Sequence, residues 1–294
     1  VSPGSLVVPL ATHDAHALTW GPDDGPLLLA LHGFPDTAWT FRHLGPLLAE
    51  AGWRVVAPFL RGYGPSGLPS DGDYTVGALM GDAVALHAAL GGDERSVLVG
   101  HDWGAITANG LGCSPGSPFA KVVALAVPPL SVMNPSRELW KPWVGGLVRQ
   151  PRNSWYILAN QVPGVSERFF PRLASRLWHD WSPGYDARTD LAHLLESVPD
   201  VERARAVVSY YRAAARPRGA RFLQQGPPLV PTLYLHGADD GCLDRRFLTL
   251  ARARLTGEHR AVLVEGAGHF LTVERPEVVA GHVLGFVGRP RPLV

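Results

Sequence analysis

Gly100-His101-Asp102-Trp103-Gly104 follows the apolar run Ser96-Val97-Leu98-Val99 and precedes the helix-compatible stretch Ala105–Asn109. This is the frame of a strand-to-helix turn, G-x-S-x-G, with Asp102 where the serine normally stands. A serine attacks acyl carbons. A carboxylate can attack a saturated carbon, displace a leaving group and form an ester with the protein. Gly100 and Gly104 permit close backbone approach, and the following helix N-terminus keeps the carboxylate ionised. Aspartate is also a common helix cap, so the reading of Asp102 depends on its partners.

Three further segments supply partners. His32-Gly33-Phe34-Pro35 directly follows the apolar run Leu27–Leu31. A turn there can aim the Phe34 N–H, together with that of Trp103, at one oxyanion. Gly266-Ala267-Gly268-His269-Phe270 places a histidine on a glycine-rich loop after a strand-like run, where it can act as general base. Leu235-His236-Gly237-Ala238-Asp239-Asp240 carries a carboxylate to orient that imidazole; Asp240 is preferred and Asp239 stays open. The order nucleophile, acid, histidine is the one expected of such a site.

These loops need strand ends to hold them. Leu27–Leu31, Val55–Leu60, Val97–Val99, Val122–Val127, Thr232–Leu235 and Ala261–Val264 read as buried strands. Trp39–Ala51 and Val76–Leu90 have helical spacing between them. The alternation predicts an α/β chain with a mostly parallel sheet covered on both faces. The rhythm stops near Pro128-Pro129 and resumes at Pro227-Pro228. The predicted organisation is therefore a core of residues 1–129 and 227–294, interrupted by a helical cap at 130–226. That cap carries Trp140, Trp143, Trp155, Trp178 and Trp181, expected to be mostly its own core.

Composition excludes several classes. The 294 residues are 46% hydrophobic and 18% charged, enough for a large core, and the net charge of +1 gives no general pull toward nucleic acid. The six arginines from Arg203 to Arg221 read as a solvated helix face. Gly62–Gly67 is a literal G-x-G-x-x-G, but Pro65 and Pro69 break the helix a nucleotide site needs. Cys113 and Cys242 show no metal-ligand spacing, and no run is long enough to span a membrane. A cytoplasmic location without a signal peptide, and no metal or cofactor, are the expectations. The oligomeric state, monomer or homodimer, is not read from the sequence.

Taken together, HGFPDT, RGYGPSG, GHDWG, HGADD and GAGHF resemble the soluble epoxide hydrolases of the α/β-hydrolase fold, in order and over nearly the whole chain. The haloalkane dehalogenases share the Asp-Trp elbow and are the alternative. The resemblance implies two cap tyrosines that polarise and protonate an epoxide oxygen. The segment Gln161-Val162-Pro163-Gly164 points to Tyr156, five residues before the glutamine. The second matches Tyr211-Arg212, with Tyr210 about ~100° away on the same helix. Phe34 stands where dehalogenases commonly have a halide-binding Asn. The site implied is Asp102, His269, Asp240, Tyr156 and Tyr211, with the Phe34 and Trp103 amides as oxyanion donors. His32, Pro35, Trp103 and Gln161 are expected to contact an apolar epoxide. Asn160 departs from the pattern, standing where an aromatic usually precedes the glutamine, and Asp36 is expected near the entrance.

Overall fold

The computed structural model describes residues 2–134, 139–141, 144–145, 150 and 153–290; Trp143 lies outside them. Eight strands form one sheet: β1 (Gly4–Pro9), β2 (Asp14–Trp20), β3 (Leu27–Leu31), β4 (Arg54–Pro58), β5 (Val97–His101), β6 (Lys121–Leu125), β7 (Thr232–Gly237) and β8 (Arg260–Val264). Their order is β1-β2-β4-β3-β5-β6-β7-β8. From β4 to β8 all pairings are parallel. The β1–β2 hairpin joins β4 antiparallel. That hairpin was not among the predicted strands. β1 is an exposed edge and β2 is interrupted by polar residues, so neither shows a continuous apolar run.

Strands β3 and β5 are neighbours, yet β4 lies on the other side of β3. The strand order therefore reverses between β3 and β5. Open α/β sheets bind ligands outside the carboxyl ends of strands at such a switch point. Both strands are fully buried along their length, so their ends are held by the core rather than by solvent-facing loops.

The helices that flank the sheet include α1 (Leu44–Glu50), α2 (Val76–Ala89), α3 (Trp103–Gly112), α8 (Arg246–Arg254) and α9 (Pro276–Val287). The predicted helix over 39–51 is split into a 3-10 turn, Ala38–Phe41, and α1. Pro46 explains the break, because proline is tolerated in a first turn and not in an interior. Between β6 and β7 the described elements are all helical: chiefly α4 (Trp155–Ala159), α5 (Phe170–Trp181), α6 (Arg188–Ser197) and α7 (Val201–Ala215). Trp178 and Trp181 are buried, whereas Trp140 and Trp155 are exposed. No helix among the described residues is long and apolar enough to cross a membrane.

The helical segment between β6 and β7 is fastened to the rest of the fold by polar contacts that its composition did not reveal. Arg203, expected on a solvated face, donates to the carbonyls of Gly62 and Ser66. The Gly64 N–H donates to the Ser197 carbonyl at 2.9 Å, and the Ser197 hydroxyl donates back to the Gly64 carbonyl. The G-x-G-x-x-G loop is thus a seat for α6 and α7. Arg61 underneath is paired through two nitrogens with Asp82.

Helix α3 runs tight under β3. A Cβ on Gly104 would stand 2.1 Å from the Leu31 carbonyl oxygen, which is backbone and has nowhere to move. Gly104→Ala is expected to cost about 1–3 kcal/mol or more through overpacking, read as a lowered Tm; an unchanged Tm would contradict the packing described.

Candidate functional site

Asp102 is the last residue before α3 and adopts φ 51° and ψ −113°. A positive φ is strained for a non-glycine residue, by roughly 1–3 kcal/mol. In this conformation the carboxylate makes no capping bond to the helix. The cap reading of Asp102 therefore fails. Instead Oδ1 accepts the Phe34 N–H at 2.8 Å. Gly33 permits this approach: a Cβ there would lie 2.5 Å from Asp102 Oδ1. The Trp103 amide belongs to the first turn of α3, whose N–H groups have no intrahelical acceptor.

His269 stands beside the carboxylate from the loop after β8. Its Nδ1 is 3.0 Å from Asp240 Oδ2, and its Nε2 is 3.6 Å from Asp102 Oδ2, an ion-pair distance longer than a hydrogen bond. Asp240 Oδ1 accepts the backbone N–H groups of Cys242 and Leu243 at 2.7 and 2.9 Å. Asp239 is exposed and uses its own N–H on the Ala267 carbonyl. Of the two candidates, Asp240 is therefore the one that meets the imidazole.

The electrostatics follow from burial. Burial alone would lower the His269 pKa, but Asp240 and Asp102 outweigh it and push it up to about 10. Burial alone would raise the Asp240 carboxyl; His269, together with hydrogen bonding, holds it below its usual value. The loop is pinned at its backbone as well. The His269 N–H donates to the Trp181 carbonyl at 3.0 Å, and the His269 carbonyl accepts from His101 Nε2 at 2.9 Å. Burial lowers the His101 pKa to about 4, which keeps that ring neutral.

Two phenols lie near enough to the carboxylate to feel its charge. The Tyr156 and Tyr211 rings meet edge-on with centroids 5.5 Å apart. Tyr211 also packs against Phe34 and Trp103, each with centroids 5.0 Å away. Its hydroxyl is buried and unpartnered. Burial pushes both phenols well above their usual pKa, helped by Cys242 for Tyr156 and by Asp102 for Tyr211. Tyr210 donates instead to the Arg61 carbonyl at 2.6 Å, so Tyr211 is the one turned to the site.

Three expected substrate contacts are otherwise engaged. His32 donates from Nδ1 to the Gly33 carbonyl and accepts the Leu60 N–H at Nε2. Burial lowers its pKa to about 3. No ring nitrogen is left for a ligand, so the expectation is corrected: His32 braces the turn that aims Phe34. The Gln161 amide is spent on the carbonyls of Tyr211 and Ile157, tying α4 to α7. The Pro35 carbonyl accepts the Trp178 indole N–H at 2.8 Å, joining the turn after β3 to α5. Asp36, expected at the entrance, is buried. Burial, together with Asp190, pushes its pKa up to about 7.

The structure adds neighbours that sequence reasoning missed. Cys242 Sγ lies 3.5 Å from the Tyr156 hydroxyl. Trp181 packs edge-on against both His269 and Tyr156. Only the position of Cys242 two residues after Asp240 could have drawn attention to it. Asp240, Cys242 and His269 offer donor atoms within 4.8 Å of one another. The existing Asp240–His269 bond already uses two of these groups, so a metal ion there would have to break it.

Comparison with known proteins gives a consistent frame. The model of the alpha/beta hydrolase fold family matches residues 26–276. Epoxide hydrolase A of Mycobacterium tuberculosis (strain ATCC 25618 / H37Rv) is 30% identical, covering 91% of this chain and 92% of its own length. An epoxide hydrolase of Caballeronia sordidicola is 29% identical, covering 90% and 88%. A solved structure of epoxide hydrolases from metagenomes of hot environments superposes with a TM-score of 0.79 at 24% identity, covering 98% of this chain and 99% of that one; at that identity it speaks for the fold.

The raised His269 pKa links pH to stability. Its ordinary value is 6.5 and its folded value about 10. The stabilisation is whole below about pH 6.5 and is lost as pH rises through about 10. In Asp102→Asn one of the two raising charges is gone. The Tm of the unsubstituted protein is expected to fall more steeply between pH 7 and 10 than that of Asp102→Asn; parallel curves would contradict the charge arrangement.

Proposed function

This chain belongs to the alpha/beta hydrolase fold family, and from that premise we propose that it is an epoxide hydrolase working through an ester on Asp102. As a family member it is a hydrolase; the substrate and the steps are the proposal. The observation that carries it is a pair of buried phenols, packed edge-on and both near enough to Asp102 to feel its charge, beside the carboxylate–imidazole pair. A leaving halide needs N–H donors and no proton. An opening epoxide generates an alkoxide, a strong base, and two phenols held protonated are what it requires.

Asp102 attacks one ring carbon, and the C–O bond of the ring breaks. The ring oxygen takes a proton from a phenol, leaving a hydroxyalkyl ester. Formation of the ester removes the Asp102 charge. One of the two carboxylates that raise His269 is then neutral, so His269 passes its proton to the phenolate and becomes a neutral imidazole. Oriented by Asp240, it deprotonates a water that adds to the ester carbonyl. The Phe34 and Trp103 amides stabilise the resulting oxyanion. On collapse the departing alkoxide takes the proton of the Asp102 carboxyl, which releases the vicinal diol and restores the carboxylate beside the imidazolium. No metal or organic cofactor enters these steps.

The test is diol formation and halide release measured side by side on terminal epoxides and alkyl halides. Diol without halide release supports the reading; halide without diol assigns the chain to dehalogenation. Asp102→Asn is expected to abolish turnover.

The two adjacent tyrosines separate chemistry from packing. Tyr211→Phe is expected to lower kcat by roughly tenfold to a hundredfold, since Tyr156 remains. Tyr210→Phe removes the bond to the Arg61 carbonyl and is expected to cost about 1–3 kcal/mol of stability, with kcat largely kept. The opposite pattern in kinetics and melting would overturn the assignment.

A further inference from the structure

Helix α4 is built inside out. Its apolar residues Trp155, Ile157 and Leu158 are exposed, with Leu158 at 73%. The stripe it buries is Tyr156 and, one turn on, Asn160. Asn160 is still helical, with its N–H on the Tyr156 carbonyl at 2.9 Å. Residues four apart on a helix share a face, so Asn160 lies on the face that carries Tyr156 to the site.

The Asn160 side chain is 0% exposed, yet neither Oδ1 nor Nδ2 has a hydrogen-bond partner. An amide with both ends orphaned is costly, and native structures rarely keep one without a use. Its backbone is well held: the Asn160 carbonyl accepts Arg212 Nε at 2.8 Å, and the adjacent Gln161 amide donates to the Tyr211 carbonyl at 3.1 Å. The residue is therefore fixed between the segments that carry the two phenols, with an unspent donor and acceptor. Ser166, just beyond the same turn, likewise buries an unpartnered hydroxyl.

We infer that Asn160 is a specificity-determining residue that selects epoxides carrying a hydroxyl or carboxamide on the substituent, rather than plain hydrocarbon epoxides. The inference rests on the epoxide reading and refines the expectation of an apolar substrate. A hydroxyl or carboxamide both donates and accepts, so it satisfies both ends of the amide. An ether or ketone satisfies the Nδ2 donors alone, and a hydrocarbon satisfies neither. Sites built to hydrogen-bond a substrate group discriminate strongly against analogues that lack it, because the site's own polar atoms are then left unpaired.

The experiment uses terminal alkyl epoxides of one chain length in which a single hydroxyl is moved carbon by carbon. Each is measured as kcat/KM for diol formation against the parent hydrocarbon epoxide. The unsubstituted enzyme is expected to show a peak of about tenfold or more at one hydroxyl position, with the matching ether between hydroxyl and hydrocarbon. In Asn160→Leu, which keeps size and removes polarity, the hydroxyl-to-hydrocarbon ratio is expected to fall about tenfold. Asn160→Ala should lose the peak as well and serves if the leucine variant does not fold. Asn160→Leu is expected to melt no lower than the unsubstituted protein, since no internal bond is removed.

A flat series in the unsubstituted enzyme would overturn the inference while leaving the epoxide reading intact. So would an undiminished peak in both variants, or a clear drop in Tm for Asn160→Leu. Absence of diol from every epoxide, parent included, would overturn the epoxide reading and this inference with it.

Discussion

The arrangement on which the site depends is a buried imidazolium between two carboxylates. Asp240 and Asp102 flank His269 at 3.0 and 3.6 Å, and all three side chains are nearly free of solvent. Away from water such charges interact strongly, and an unpaired one would be expensive to bury. The fold supplies the compensation. Amides of Cys242, Leu243 and Phe34 accept none of the cost to chance: each donates to a carboxylate oxygen. Each lies on a loop at the carboxyl end of a parallel strand or in the turn that follows it. The sheet order and the charge arrangement are thus two aspects of one requirement, that three loops distant in sequence end at one point.

The same arrangement makes the proposed reaction sequential. With Asp102 ionised, His269 retains its proton and cannot compete as a base. With Asp102 esterified, half of the charge that held the proton is gone. Timing then comes from electrostatics alone and needs no moving part. The phenols complement this. They are kept protonated by burial, so they stay available as donors to the opening ring.

Much of this was legible in the chain because it is local. The strand runs that end in glycine-rich turns are continuous in sequence, and the parallel strands β3 to β8 and the loops bearing Asp102, Asp240 and His269 follow from them. What was illegible depends on contacts across the fold. The role of His32 is set by the Leu60 amide, and the division between Tyr210 and Tyr211 by the Arg61 carbonyl. The hairpin β1–β2 lacked an apolar run, and Pro46 divided a helix that periodicity alone would continue. Arg203 looked like a solvated charge because its acceptors, the carbonyls of Gly62 and Ser66, are backbone atoms far away in sequence. Asn160 stood out in the sequence as a departure, but that its amide is buried without a partner could be learned only from the fold.

The central claim is that the oxygen delivered to the product comes from Asp102. A single turnover in heavy-oxygen water, with enzyme in excess of epoxide, tests it directly by mass spectrometry of the diol and of the peptide containing Asp102. The account predicts an unlabelled diol and one heavy oxygen in the Asp102 carboxylate. A labelled diol with an unlabelled Asp102 would mean that water opens the epoxide directly, and would contradict it.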